Sequence, residues 1–278
     1  MSGCEREEQT RPSVTRPDRK EEALLRFGFS VKRGSVHTSR TMMLRELTRL
    51  FASVPEKAAH ESYMSSIIAD NCLGKRSGVT RKLSAKSLSG LYILNLDKVL
   101  FRAFRFFWRR DAQAHPLISL LCTYARDAIL RQSAEYILTV PVGTAAHKAE
   151  MEQFIEEKYP DRFSDGMLHS LVRNIRSTWT QSGHLEGHLT KIRSQAAATP
   201  GAVAYALLLG YLAGARGEFL FATEYARLLD CSVARSIELA EEASRRGWIV
   251  FKRVGTVIEA LFPNLLTEQE MEWIREPN

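Results

Sequence analysis

The feature that most constrains the fold is a pair of β-forming runs near the end of an otherwise helical sequence. Residues 248–254 and 257–262 are rich in Val, Ile, Phe and Trp, and Gly255 lies between them. β-Branched and aromatic residues favour strands, and glycine accepts the backbone geometry of a tight turn. The stretch therefore predicts a two-stranded hairpin, which needs other elements to cover it because an isolated hairpin is unstable.

The residues before this hairpin predict the elements that cover it. Pro200 is suited to the first turn of a buried helix, and "EFLF" after that helix predicts a short strand. Two brief helices follow, the first capped by Thr223 and the second capped by Ser232 and ended by Gly247. The apolar residues of the second helix recur at helical spacing and are Val233, Ile237, Ala240 and Ala243. This order of elements is typical of a winged helix-turn-helix, in which the hairpin is the wing.

The rest of the chain predicts further helical units. From residue 39 the apolar residues follow a helical period, and Pro55 is expected to open the second helix. The sequence "VPVGTAA" predicts a boundary at Pro141. The predicted divisions are a disordered or extended tail over 1–38, an N-terminal helical domain over 39–140, a middle helix-turn-helix-like unit over 141–196 and the winged-helix domain over 197–278. The predicted fold class is therefore mainly α, with multi-helix bundle units and a C-terminal winged helix-turn-helix.

Charge and cysteine usage narrow the class of protein. The net charge of +7 indicates an anionic partner, although proteins without one also reach this value. The four cysteines form no C-x-x-C pair and no apolar leader is visible, which predicts reduced thiols in a cytoplasmic protein. The longest apolar run, residues 202–215, is shorter than the roughly 20 residues that a membrane span needs. It therefore predicts a buried core helix and no membrane partner.

The stretch "HLEGH" is the segment that most resembles a catalytic motif. His184 and His188 are four residues apart with Glu186 between them, but the zinc-protease motif places glutamate directly after the first histidine. That position is Leu185, and Gly187 disfavours a helix here. No phosphate-binding glycine loop and no nucleophile elbow is present in the sequence. The sequence therefore predicts no enzyme activity, no metal site and no cofactor.

Positive side chains cluster in three places that the sequence predicts as DNA contacts. The densest cluster is "KRSGVTRK", expected to be a loop between two helices, and the second lies on the polar face of the predicted helix "MLHSLVRNIRSTWTQ". The third cluster lies on the second helix of the predicted winged module and on the wing. Arg235 is in the first turn of that helix, where the helix dipole disfavours a cation. The candidate contacts are Lys75, Arg76, Arg81, Lys82, Arg173, Arg176, Arg235, Arg245, Arg246, Lys252 and Arg253. Each cluster has the alternative interpretation of a solvated surface. In the third cluster, Glu238, Glu241 and Glu242 make the second helix of the winged module about neutral.

Four stretches together resemble the BrxA proteins of bacteriophage-exclusion (BREX) defence loci. They are "SRTMMLRELTRLF", "GVTRKLSAKSLSGLY", "LVRNIRSTWTQSGHL" and "RLLDCSVARSIELAEEASRRGWIVFKRVGTVIEALFP". The resemblance spans about residues 27–265 in the order of elements and includes no catalytic signature. It implies a mostly helical cytoplasmic protein, similar in fold to the antitermination factor NusB or to winged-helix modules. It also implies binding of double-stranded DNA beside a methyltransferase and other defence proteins, although no family residue carries over as a known contact. The long charged tail and the acidic recognition helix depart from the family pattern, which puts the DNA-contacting surface in doubt.

The sequence therefore predicts a non-enzymatic component of a phage-defence system that binds duplex DNA mainly through phosphates. A protein–protein adaptor, whose winged helix docks on a partner subunit, is the alternative. RNA binding is a further alternative, because a positive surface does not choose between duplexes. Clustering of the cations on one face would favour DNA, and their scattering would favour the adaptor.

Overall fold

The computed structural model describes residues 19–30 and 34–275. Its α-helices are α1 Arg19–Phe27, α2 Leu44–Ser53, α3 His60–Ile68, α4 Gly78–Tyr92, α5 Val99–Arg110, α6 His115–Tyr124, α7 Ala128–Ile137, α8 Lys148–Lys158, α9 Asp165–Gln181, α10 Pro200–Leu212, α11 Glu224–Arg227, α12 Val233–Arg245 and α13 Glu268–Arg275. Short 3-10 turns span Val36–Thr38, Ala112–Ala114 and Gly217–Ala222. The strands are β1 Leu185–Glu186, β2 Ile192–Arg193, β3 Val250–Val254 and β4 Val257–Leu261. The prediction of a mainly helical chain with a C-terminal hairpin is confirmed.

Helix α10 lies at the centre of the core. Every residue from 200 to 210 is buried, and the helix packs against α5, α6, α11 and α12. Apolar or small residues on all its sides are typical of a helix that no solvent reaches. The Thr199 hydroxyl accepts from the Ala202 N–H, with Pro200 in the first turn. The predicted buried core helix is confirmed, and within the described part of the chain no helix has the length and apolar content to cross a membrane.

Part of the predicted N-terminal tail belongs to the core. Phe27 at the end of α1 and Phe29 after it are buried, as is His37 in the 3-10 turn. The ring of Phe27 lies 6.3 Å from that of Trp273 on α13. The apolar residues from Leu24 onward find partners that lie far along the chain, so the structure corrects the prediction of a tail through residue 38. Residues 1–18 of that tail lie outside the described residues.

The N-terminal helices begin at other positions than the sequence suggests. Pro55 does not open a helix, because α3 begins only at His60. The segment predicted as a basic loop is divided, since α4 begins at Gly78. The Ser77 hydroxyl accepts from the Thr80 N–H and so satisfies one of the free donors of the first turn. Only the first half of the basic segment is therefore loop, and its second half is helix.

A second two-stranded sheet follows α9. Strands β1 and β2 pair antiparallel with Leu185 opposite Arg193, and an isolated bridge joins Ala145 to Ile192. Gly187 begins the connection with φ of +88°, and a Cβ there would lie 2.3 Å from the Thr190 carbonyl oxygen. Only glycine fits this backbone. The sequence pattern indicates a hairpin only at the C-terminus and does not predict this second one.

The C-terminal elements agree with the prediction except at one segment. Strands β3 and β4 pair with Val254 opposite Val257, which leaves Gly255 and Thr256 as the turn. The predicted caps of α11 and α12 are confirmed. The segment "EFLF" is not a strand but a 3-10 turn packed on β4, and its consecutive residues Leu220 and Phe221 are both buried. A strand covered on one face would bury only alternate residues, so this pattern requires a tighter backbone.

The buried face of α12 is not the one expected from its apolar residues. Its buried side chains are Ser236, Leu239, Ala240 and Ala243. Val233, in the first turn, is exposed. Of the four apolar residues at helical spacing, Ala240 and Ala243 are therefore buried and Val233 is not.

Candidate nucleic-acid interface

One face of α4 exposes cations together with apolar side chains. The helix presents Val79, Lys82, Leu83 and Lys86 to solvent, and the exposed Arg76 immediately precedes it. These helical positions are three or four residues apart and therefore lie along one side. Residues 71–96 contain no Asp or Glu. The five residues Arg76, Val79, Lys82, Leu83 and Lys86 are called the α4 stripe below.

The four predicted contacts of this segment have different surroundings. Lys75 Nζ lies 2.9 Å from Glu46 Oε1 and forms an ion pair. Partial burial acts to raise the pKa of Glu46, but the hydrogen bond and charge of Lys75, a backbone hydrogen bond and the charge of Arg49 together lower it. Arg81 donates to the Ile68 carbonyl oxygen at 3.3 Å. Arg76 and Lys82 make no ion pair or hydrogen bond with any described residue and so can meet an external anion.

Lys86 was not among the predicted contacts. It is exposed and, within the described residues, has no ion pair or hydrogen bond. Its spacing of four residues from Lys82 is the sequence signal that identifies it once α4 is known to be a helix.

The two arginines predicted on α9 differ in the same way. Arg173 is exposed and has no described partner. Arg176 is half-buried and donates to the Ala146 carbonyl oxygen at 3.0 Å, and burial lowers the pKa of its guanidinium. On this helix only Arg173 is available to an external ligand.

Cations of α12 are largely satisfied by acids of the same helix. Arg235 lies 2.7 Å from Glu238, and Arg246 just beyond the helix pairs with Glu242. Glu238 of the same helix, rather than an external anion, therefore compensates the unfavourable interaction of Arg235 with the helix dipole. Arg245 is exposed and has no described partner.

The hairpin β3–β4, predicted as a wing and called the wing below, carries both charge and apolar surface. Lys252 Nζ lies 3.8 Å from Glu259 on the opposite strand, and Arg253 Nε donates to the Gly255 carbonyl oxygen at 3.3 Å. On the outward face, Val254 is 80% exposed and Val257 is 71% exposed. The predicted wing-tip cations thus lie beside an exposed apolar pair.

The predicted contacts therefore belong to three surfaces, on α4, on α9 and on α12 with the wing, and this scattering favours the adaptor over a DNA contact that uses all of them. Helices α4 and α9 both contact the 3-10 turn Val36–Thr38. Helix α12 adjoins the wing, where Ser244 Oγ accepts from the Phe251 N–H at 3.0 Å. Among the described residues, the predicted contacts left without a partner are Arg76, Lys82, Arg173 and Arg245.

A buried carboxylate fixes the 3-10 turn between α4 and α9. The carboxylate of Asp127 accepts hydrogen bonds from Ser35 Oγ (2.7 Å), His37 Nδ1 (2.9 Å) and the N–H groups of Val36 (2.9 Å), Ile129 (3.1 Å) and Leu130 (3.0 Å). Burial acts to raise the pKa of Asp127, but His37 and these donors lower it to about 2. Hydrogen bonds to the charged form stabilise it. The carboxylate therefore stays ionised inside the protein and holds the turn in place.

The same histidine also contacts a hydroxyl. His37 Nε2 lies 2.9 Å from Thr178 Oγ1, which accepts from the Met42 N–H at 2.9 Å. This order of groups resembles a hydrolase triad, but all three side chains are buried. The arrangement therefore joins α7, α9 and the 3-10 turn and presents no nucleophile to a substrate.

A second buried pair braces the turn between α11 and α12. Arg193 in β2 donates from both terminal nitrogens to Asp230, at 2.8 and 2.7 Å. His184 Nε2 lies 3.1 Å from the Leu228 carbonyl oxygen, and burial lowers the pKa of His184 to about 4. His188 is exposed, and the described residues hold no group of three or more His, Cys, Asp or Glu arranged to bind a metal. The "HLEGH" segment therefore supplies a structural contact.

Comparison with known proteins gives no functional assignment. No protein-family model matches the chain, and no curated protein is significantly similar to it in sequence. The function is accordingly argued from the surfaces themselves.

Proposed function

We propose that this chain is a non-enzymatic protein that binds duplex DNA mainly through phosphates, with the α4 stripe as the principal contact. The observation that carries the proposal is the set of exposed, unpaired cations Arg76, Lys82 and Lys86 on a segment without acidic residues. Cations free of internal partners can neutralise phosphates and release counterions, which supplies most of the free energy of non-specific binding.

The arrangement of α3 and α4 supports this assignment. Two helices joined by a turn present the N-terminal half of the second helix to the major groove in helix-turn-helix proteins. Lys82 lies in that half together with the exposed Val79 and Leu83, while Arg76 lies two residues before the helix and Lys86 one turn after Lys82. Apolar side chains in the groove can contact thymine methyl groups. Phosphate contacts would position α4, while the few base contacts would give little sequence preference.

The setting that we propose for this binding is a phage-defence assembly. The support is the resemblance to BrxA proteins, which implies duplex DNA and a methyltransferase as partners. The absence of a catalytic signature in the sequence agrees with a role as a binding component.

A second candidate function is a protein–protein adaptor, and the wing favours it. We propose that α10 to β4 form a winged helix-turn-helix in which the 3-10 turn Gly217–Ala222 replaces the usual first strand. Three of its five predicted contact cations, Arg235, Arg246 and Lys252, are paired with acids of the same module, whereas Val254 and Val257 are exposed. Exposed apolar patches rimmed by charge are typical of surfaces that dock on proteins.

The DNA proposal is tested by charge reversal on α4. Fluorescence anisotropy with a labelled duplex of arbitrary sequence measures the affinity of the full chain and of Lys82→Glu/Lys86→Glu. We expect at least tenfold weaker binding for the variant, because two phosphate contacts are lost and two repulsions are added. An RNA duplex of the same sequence, measured in parallel, distinguishes DNA from RNA binding.

The matched control is Lys148→Glu/Lys158→Glu on α8. It changes the net charge equally, but both lysines have acidic partners, Glu152 at 3.3 Å and Glu135 at 2.9 Å. A small loss in the control and a large loss in the α4 variant indicates local contact. Equal losses would show that only net charge matters and would refute the α4 assignment.

The adaptor proposal is tested on the wing. Val254→Ser/Val257→Ser should abolish copurification with the methyltransferase of a BREX-type defence system and leave DNA affinity unchanged. Copurification that survives this change would exclude the wing as the docking surface.

A further inference from the structure

A pocket opens between α2 and α5, away from the residues assigned to DNA. Its volume is about 450 Å³, within the range of small-molecule sites. Its walls include Phe51 and Ala52 of α2 and Arg105 and Trp108 of α5, and Glu56 and Arg109 also line it. The pocket is thus lined by aromatic surface and charged groups.

Arg105 is the unusual residue of this pocket. The residue is only 4% exposed, yet its guanidinium has no carboxylate partner and no backbone carbonyl acceptor among the described residues; the neighbouring polar group is the Tyr63 hydroxyl. Its Nε is buried without a partner, and its guanidinium carbon lies 4.0 Å from the centre of the Phe51 ring. The contact with the ring accounts for part of the stabilisation of the cation but supplies no acceptor.

Other arginines with a buried Nε show that this situation is specific to Arg105. Arg81 donates to the carbonyl oxygen of Ile68, and Arg176 donates to that of Ala146. Arg131 likewise donates to the Tyr124 and Ala125 carbonyl oxygens. Each of these guanidinium groups therefore has a backbone carbonyl acceptor, which Arg105 lacks.

The neighbours of Arg105 do not compensate its charge. Glu56 is paired with Arg109, so its carboxylate is already engaged. Burial lowers the pKa of Arg105, and the Tyr63 hydroxyl beside it opposes this shift without supplying a carboxylate to neutralise the charge. A buried charge without a partner is strongly unfavourable, and so is a buried polar group without a hydrogen bond.

We propose that the pocket binds a small aromatic molecule bearing a phosphate or carboxylate group, with Arg105 as the partner of the anion. Guanidinium groups match the geometry of both oxyanions. Phe51 and Trp108, which line the pocket, supply the apolar wall for the ring of the ligand. Such a site does not depend on DNA binding, because it uses none of the residues of the α4 stripe.

The test uses the full chain with phenyl phosphate, benzoate and inorganic phosphate at one ionic strength. Isothermal titration should show saturable binding of phenyl phosphate or benzoate, and the comparison of these two identifies the preferred oxyanion. Inorganic phosphate should bind at least tenfold more weakly, because it cannot use the apolar wall. Equal affinity for inorganic phosphate would refute the aromatic part of the proposal.

Two variants locate the site. Arg105→Met should weaken binding at least tenfold, and Lys98→Met, which replaces a half-buried cation just before α5, should not change it. Ala52→Trp, at an exposed position of the wall, should block the pocket without altering Arg105. Absence of saturable binding to the wild type, or wild-type affinity in Arg105→Met, would overturn the proposal. If Arg105→Met does not fold, wild-type affinity in Ala52→Trp would overturn it instead.

Discussion

Asp127 lies at the meeting point of the 3-10 turn, α7 and α9. Its carboxylate is ionised although it is buried, because His37 and four other donors surround it. No sequence pattern identifies this network, since its members His37, Asp127 and Thr178 are far apart in the chain. Each of these residue types occurs in many structural settings. Only the folded arrangement of α7, α9 and the 3-10 turn brings these three side chains together.

The low pKa of Asp127 makes a prediction about acid stability. Its folded-state pKa of about 2 lies below the ordinary value of 3.8, so the unfolded chain takes up the proton first as pH falls. The stabilisation is complete above about pH 4 and is lost as pH falls toward 2. Asp127→Asn should therefore lower the free energy of unfolding by about 2 kcal/mol at pH 7. Urea unfolding between pH 5 and pH 2.5 should show the gap to wild type narrowing, and a constant gap would contradict this account.

Which lysine and arginine side chains form ion pairs was also not predicted from the sequence. Composition identified Lys75 and Arg235 as candidate contacts, but Glu46 and Glu238 neutralise them in the fold. The acid that pairs with Lys75 lies on another helix, so spacing along the chain could not reveal it. Arg235 and Glu238 do have helical pair spacing, and this signal was available.

At the scale of elements, the sequence predicted α4 as a basic segment but not its start. The cap at Ser77 decides which cations lie on a rigid helix, and it is a local signal that the sequence contains. Replacing it by alanine should lower the free energy of unfolding by about 1 kcal/mol. Ser87→Ala is the control, since that hydroxyl only donates back to the Leu83 carbonyl oxygen within the helix. Urea denaturation of both variants measures the difference, and equal effects would contradict the capping role.

The brace between β2 and the α11–α12 turn gives a second prediction at this scale. Arg193→Met leaves the Asp230 carboxylate without its bidentate partner, so the free energy of unfolding should fall by about 3 kcal/mol. Arg235→Met removes an exposed ion pair and should change it by less than about 0.5 kcal/mol. Denaturant unfolding of the two variants checks this. An Arg193→Met protein as stable as wild type would show that the brace is dispensable.

At the scale of the molecule, the two ends of the described chain meet. The fold class, the central α10 and the hairpin follow from periodicity and turn residues. Helix α13 was not predicted, because its few apolar residues form a helix only when α1 covers them. Trp273 packs on Phe27, and Arg102 of α5 pairs with Glu270 at 2.5 Å. Such long-range partners are invisible to local pattern.

Contact between the ends should contribute to stability. Trp273→Ala should lower the free energy of unfolding by about 2 kcal/mol, because it removes apolar area buried against α1. Phe219→Ala, at an exposed aromatic position, should change it by less than about 0.5 kcal/mol. Thermal and urea unfolding measure both changes. A negligible effect of Trp273→Ala would mean that α13 adds nothing to the core.

The most direct test of DNA binding by this chain is a salt series on an unrelated duplex. The logarithm of the association constant is plotted against the logarithm of salt concentration for the wild type, Lys82→Glu/Lys86→Glu and Lys252→Glu/Arg253→Glu. We predict a wild-type slope of about −3 or steeper, which Lys82→Glu/Lys86→Glu makes shallower by roughly 2 and the wing variant changes little. No binding at about 50 mM salt by folded protein, or a slope that the α4 variant leaves unchanged, would contradict the proposed function.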